Sequence, residues 1–149
     1  MQFATNVWTE LVDIDEGVRG MRLERVPGET LASAVWELAP GASTRYHLHH
    51  GTKELVLVLR GTLTVRTPDG DRELAEGDVL GFARGLTGAH GMSNRTKEPV
   101  RYLMVAEHWS LDTIEYPDEG TLCTFAATPS QTGEELFTFF RLADGFDRG

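Results

Sequence analysis

The chain has 149 residues, of which 40% are hydrophobic and 25% charged, with 16 glycines and a formal net charge of −9. That length suits one domain, 1–149, large enough to bury a real core, and the composition excludes a disordered chain. The negative charge argues against a nucleic-acid backbone or an anionic membrane surface as the main partner, and no stretch approaches the length of a membrane span. Cys123 is the single cysteine. No intrachain disulfide can form, which fits a reducing compartment, and the N-terminus shows no basic segment followed by an apolar run. A cytoplasmic protein is the expectation.

In chain order, residues 1–20 are mixed and polar and predict an N-terminal arm or an edge strand. A strand is predicted over 31–38, closed by Ala39-Pro40-Gly41-Ala42, and then over 45–49 and 54–59. The run 63–66 follows Gly61 and ends at the hairpin turn Thr67-Pro68-Asp69-Gly70. Further extended runs are 72–74, 79–82, 89–93 and 100–106. Short strands at this spacing, separated by turn clusters, indicate an all-β sandwich or barrel with its core over about 31–107. The tail, 110–149, carries an apolar cluster, Phe137, Phe139 and Phe140, that needs a surface to cover, so it is expected to wrap over the barrel or a neighbour.

His47 and His49 are two apart, so in a strand they point the same way. If Gly51-Thr52 makes a two-residue hairpin, residue 49 faces 54, and directly opposed Cβ atoms lie about 4.5–5.5 Å apart. His47, His49 and Glu54 would then converge on one point. With His90 they form three imidazoles and one carboxylate, the donor set of a borderline divalent metal. A barrel interior holding these groups with no ion would leave buried polar atoms without partners, which is costly. Of the other two histidines, His50 has the opposite parity and reads as structural or rim-exposed, and His108 as a surface residue. Asn94 reads as fixing a strand-end turn, Arg60, which shares Glu54's parity, as a salt-bridge partner before a contact with an acidic substrate, and Glu107 as the one guess for an acid–base group. Trp36, Val56, Tyr102 and Met104 are candidates for the substrate pocket, with core packing as their other role.

Val56 and Val58 share Glu54's face, which leaves Leu55, Leu57 and Leu59 on the other. A strand apolar on both faces is buried on both. A second subunit or the chain's own tail is the expected cover.

These residues carry a resemblance. The pattern G-x5-H-x-H-x4-E-x6-G, the first motif of the cupin superfamily, is met at every position by Gly41, His47, His49, Glu54 and Gly61. The second motif, G-x5-P-x-G-x2-H-x3-N, is met by Gly77, His90 and Asn94, but Ala83 stands where Pro is usual and two extra residues separate Gly85 from His90. A longer turn is expected there. The resemblance covers about residues 37–107, and the Tyr116-Pro117-Asp118 element and tail are similar to stand-alone cupins of unassigned activity. It implies a jelly-roll, a double-stranded β-helix of six to eight strands with one divalent metal (Fe, Mn, Ni, Zn or Cu) held by His47, His49, Glu54 and His90 near one mouth. It also implies frequent homodimers.

Four protein donors leave one or two open positions on a metal that prefers five or six. The expected function is a metal-dependent enzyme on a small oxygen-rich molecule, of dioxygenase, isomerase or lyase type. The alternative is a non-catalytic module that binds or senses a small ligand.

Overall fold

Residues alternate faces along a strand, so apolar residues two apart mark the face that meets the core. The computed structural model describes residues 3–24, 30–107, 111–129 and 135–142, and follows this rule through thirteen strands. They are β1 (Val12–Asp15), β2 (Val18–Arg22), β3 (Leu31–Leu38), β4 (Leu48–His49), β5 (Lys53–Arg60), β6 (Leu63–Thr67), β7 (Gly70–Leu74) and β8 (Val79–Phe82), then β9 (Gly91–Ser93), β10 (Val100–Glu107), β11 (Leu111–Tyr116), β12 (Thr121–Pro129) and β13 (Glu135–Arg141). A 3-10 turn, Leu86–Gly88, lies between β8 and β9. Among the described residues no helix is long and apolar enough to cross a membrane. This is an all-β jelly-roll.

The six-stranded sheet runs β1-β2-β3-β10-β5-β8. A four-stranded sheet, β13-β12-β11-β4, and a three-stranded sheet, β7-β6-β9, are joined by the segment leading into β4, through the bridges Ser43↔Ser93 and His47↔His90. Side chains from both layers meet in one core: Leu38, Val56, Val58, Val100 and Tyr102 from the six-stranded sheet, and Leu63, Val65, Leu74 and Met92 from the three-stranded one. Val56 and Val58 lie inward as their parity predicts.

Residues 12–22, which begin in the expected arm 1–20 and run past its end, form an edge strand and a second strand added beside β3. The segment before them crosses the outer face of the six-stranded sheet. Arg101 donates from Nη1 to the carbonyls of Val7 and Thr9 at 3.1 and 3.2 Å, and Arg19 donates to Leu11 O at 2.6 Å. Part of the cover over that face is therefore the chain's own N-terminal segment. At the other end Leu31, Leu55 and Val79 remain exposed.

The tail contributes strands of its own. β11 pairs with β12 and with β4, in the registers Ile114↔His49 and Glu115↔Leu48. The turn between β11 and β12 is pinned to the barrel by two ion pairs, Arg45 with Glu119 and Arg66 with Asp118. Phe137, Phe139 and Phe140 on the last strand are about half exposed. His108 lies outside the described residues.

The hairpin expected at Gly51-Thr52 does not form. β4 pairs with β11, and β5 pairs with β10 and β8, so the segment 50–52 carries the chain from one layer to the other. Gly51 is also absent from the glycines with positive φ, which a type II′ turn would require at its first position. The reason lies in the tail. The Gly51 N–H donates to Asp112 Oδ1 at 2.7 Å, and a Cβ on Gly51 would stand 2.9 Å from that same oxygen.

Candidate metal centre

His47 and His90 face each other across an antiparallel bridge in which each N–H donates to the other's carbonyl, at 2.9 and 2.8 Å. Such a pair sets the two side chains side by side on one face, and the ring centroids lie 4.5 Å apart. His49, two residues on, returns to the same face, 5.0 Å from the His47 ring. Glu54 comes from the opposite layer, at the inner-face start of β5. Its Oε2 lies 3.3 Å from His49 Nε2 and 3.1 Å from His90 Nε2. His47, His49 and Glu54 each offer a donor atom within 4.8 Å of the others, and His90 adjoins this set through Glu54. The structure thus brings together all four residues named from the sequence, although the hairpin invoked to do so is absent. His49 and Glu54 converge from two layers across the barrel.

The tautomers are dictated by the outward contacts. His47 Nδ1 lies 2.9 Å from Arg45 O, and His90 Nδ1 lies 2.8 Å from Gly88 O. A carbonyl oxygen only accepts, so each Nδ1 carries the proton and each neutral ring turns the lone pair of Nε2 inward. His49 Nδ1 lies 2.6 Å from Asp112 Oδ2, with the same result when the ring is neutral. Glu54 Oε2 is buried, and while the facing Nε2 atoms are unprotonated it receives no hydrogen bond from any described residue. Three inward lone pairs around an unpartnered buried carboxylate oxygen are what a divalent cation satisfies. The donor set fits a metal.

The two neighbouring imidazoles titrate in opposite directions. Burial and the adjacent His90 push His47 down to about 4. Burial also acts against the charged form of His49, but its contacts with the Asp112 and Glu54 carboxylates outweigh it and raise His49 to about 9. Burial disfavours the Glu54 and Asp112 carboxylates too, yet their contacts with His49 (and, for Glu54, His90) hold both below the usual carboxylate range. Without a metal, then, a proton sits on His49 between two carboxylates, and a cation must displace it.

The loop with two extra residues performs a service here. Gly85 N–H donates to His49 O at 2.7 Å, and Gly88 packs so closely that a Cβ would lie 1.7 Å from Ala83 O. The expected longer turn is this 3-10 turn, which delivers the Gly88 carbonyl to His90. Phe82 closes the other side of His90, its ring stacked at 3.8 Å.

The remaining assignments separate cleanly. His50 is exposed and pairs with Glu115 at 3.2 Å. Asn94 is buried, donates to Leu38 O and Glu98 O, and accepts from Thr96, which holds the 94–98 turn. Arg60 does not share Glu54's face: a register shift in the β5–β10 pairing sets it opposite Arg101, and it pairs with Glu37 at 3.3 Å. Glu107 lies on the outer face, bound by Arg84 at 3.1 Å, so the acid–base guess is overturned. Val56 and Tyr102 are fully buried, and Trp36 and Met104 pack partly buried against the core. The register places Met104 opposite Val56, and Tyr102 between Trp36 and Val58. All four belong to the core packing, the second of the two roles expected for them. Sequence reasoning missed Asp112, whose only signal was an acid sharing the parity of Ile114 and Tyr116.

The fold and site define a class: an antiparallel two-layer barrel with a His-His-Glu set inside it. The cupin domain family matches residues 34–106, and the chain belongs to the cupin superfamily. Among solved structures, a sugar phosphate isomerase of the cupin superfamily from Silicibacter pomeroyi is similar, with a TM-score of 0.72 and 26% identity over 85% of this chain and 77% of that one. A provisionally assigned sugar phosphate isomerase from Acidithiobacillus ferrooxidans gives 0.68 and 26% over 85% and 80%. The cupin domain of an XRE family transcriptional regulator from Enterobacter cloacae gives 0.54 and 24% over 62% and 97%, which shows the fold alone. No curated protein matches the chain.

Proposed function

We propose that this chain is a divalent-metal-dependent isomerase of a small polyhydroxylated carbonyl compound, of the sugar phosphate class. The observation that carries metal binding is the buried Glu54 Oε2 set 3.1–3.3 Å from two inward-facing imidazole nitrogens. The isomerase class is supported by the two structures at 26% identity, which outweigh the dioxygenase and lyase types the resemblance left open. Bound there, Zn, Mn, Ni, Fe or Cu supplies a Lewis acid that polarises a carbonyl oxygen. His47, His49, Glu54 and His90 hold it. The carbonyls of Arg45 and Gly88 keep two of the rings from turning.

One observation favours the second reading, a non-catalytic ligand-binding module: Glu107, the acid–base candidate, faces outward in an ion pair. The protein purified without chelators should carry about one transition metal per chain, and the His47→Ala, His49→Ala double variant should lose it while keeping its β-type circular dichroism. Metal content unchanged in that variant sinks the site. Solvent deuterium entering the carbon next to the carbonyl of a sugar phosphate supports the isomerase; stoichiometric binding with no exchange supports the module.

A second copy of the chain covers the free end of the outer face at Leu31, Leu55 and Val79 in this reading, giving a homodimer. Light scattering should return twice the 16.5 kDa chain mass, and Leu55→Lys should return a monomer. The lone buried Cys123 agrees with a cytoplasmic setting.

A further inference from the structure

We propose that Asp112 is the positioning residue of the metal centre, a carboxylate supplied by the C-terminal sheet that decides which nitrogen of His49 faces inward. The inference rests on the metal-binding reading of this site. His47 and His90 are oriented by carbonyls only two residues away in their own segments. His49 has no such local anchor. Its Nδ1 partner comes from 63 residues later in the chain, and lies beyond the segment that matches the cupin family.

The contact has the marks of a built one. Asp112 is 4% exposed, and both its oxygens are used: Oδ2 lies 2.6 Å from His49 Nδ1, and Oδ1 accepts from Gly51 N–H at 2.7 Å. The absence of a side chain at Gly51 makes room for it, because a Cβ there would lie 2.9 Å from Oδ1 and 3.0 Å from Leu111 O. The β4–β11 register places Ile114 opposite His49, so Asp112, with the same parity, faces the same side and reaches the end of β4. One carboxylate thus orients the ring and ties down the backbone that follows it. A carboxylate on the outer nitrogen of a metal-binding imidazole fixes its tautomer and raises its basicity. Asparagine at 112 offers one oxygen where the site needs two acceptors, so it preserves shape while turning an NH₂ toward one of the two donors.

Zn(II) titration of the full chain against a competing chelator tests this. The comparison covers wild type, Asp112→Asn, His49→Ala and the double variant. Asp112→Asn should weaken zinc about 10–100-fold with its melting transition retained, and should add nothing to the loss caused by His49→Ala. Equal zinc affinity in wild type and Asp112→Asn, or the same loss in both backgrounds, overturns the positioning role and leaves the metal reading standing. A wild type that binds no zinc overturns both. Should Asp112→Asn not fold, ring ¹⁵N spectra of the zinc-loaded wild type decide: a proton on His49 Nδ1 supports the proposal, and one on Nε2 overturns it.

Discussion

The six-stranded and four-stranded sheets meet at the candidate metal centre on unequal terms. The first presents Glu54 from β5, an eight-residue strand held between β10 and β8, with Val56 and Val58 buried directly after it. The second presents His49 from a two-residue strand, and its far edge leaves Phe137, Phe139 and Phe140 about half exposed. In the long strand, packing and ladder bonds aim the carboxylate. In the short one they are too few, and a carboxylate from β11 does the aiming. The same inequality appears in the imidazoles: His47, buried beside His90, is pushed down to about 4, while His49, between two carboxylates, is raised to about 9.

Leu38→Ala removes a fully buried side chain from the six-stranded sheet and should cost about 2–5 kcal/mol in denaturant unfolding; a cost below about 1 kcal/mol would mean that this layer is not the rigid one. Gly51→Ala pushes a methyl into the seam between β4 and β11, with an expected loss of about 1–3 kcal/mol and weaker zinc binding besides. Unchanged stability and zinc affinity would show that β11 need not dock closely.

A smaller effect separates the histidines. An ordinary imidazole titrates near 6.5. Between about 4 and 6.5 the unfolded chain binds a proton that folded His47 refuses, so the metal-free protein should gain stability as pH rises. Between about 6.5 and 9 the folded chain keeps the His49 proton that the unfolded chain has released, so stability should fall. The lowered carboxyls of Glu54 and Asp112 steepen the loss on the acid side. His49's contribution is complete below about 6.5 and gone above about 9. Melting curves should therefore peak near pH 6.5, and a peak above pH 8 would contradict the assignment. Smallest of all, Phe139→Ala on the exposed edge should change stability by about 0.5 kcal/mol or less, measured by urea unfolding.

Much of this was legible from residue order. The strand predicted over 31–38 coincides with β3, that over 79–82 with β8, and Pro68-Asp69 makes the expected turn between β6 and β7. Alternation placed Val56 and Val58 inward. It failed at Arg60, because the register shift against β10 moves that residue to the outer face, and such a shift leaves no mark in the pattern of neighbours. It failed again at β4, where alternation can say that His47 and His49 share a face but not which strand lies beside them. Asp112 was illegible for a related reason: an isolated acid in an extended run has no periodicity of its own.

By itself, the order of residues determined the barrel, the inward face of β5, and four donors of the type and spacing that a divalent metal takes, since those follow from alternation and from donor chemistry. Only the tertiary structure decided that Glu54 arrives from the opposite layer, that the three imidazoles turn Nε2 inward, and that His49 is aimed by Asp112. Those are distances between segments up to 63 residues apart, and a chain's local pattern carries no information about which distant strand will pair with it.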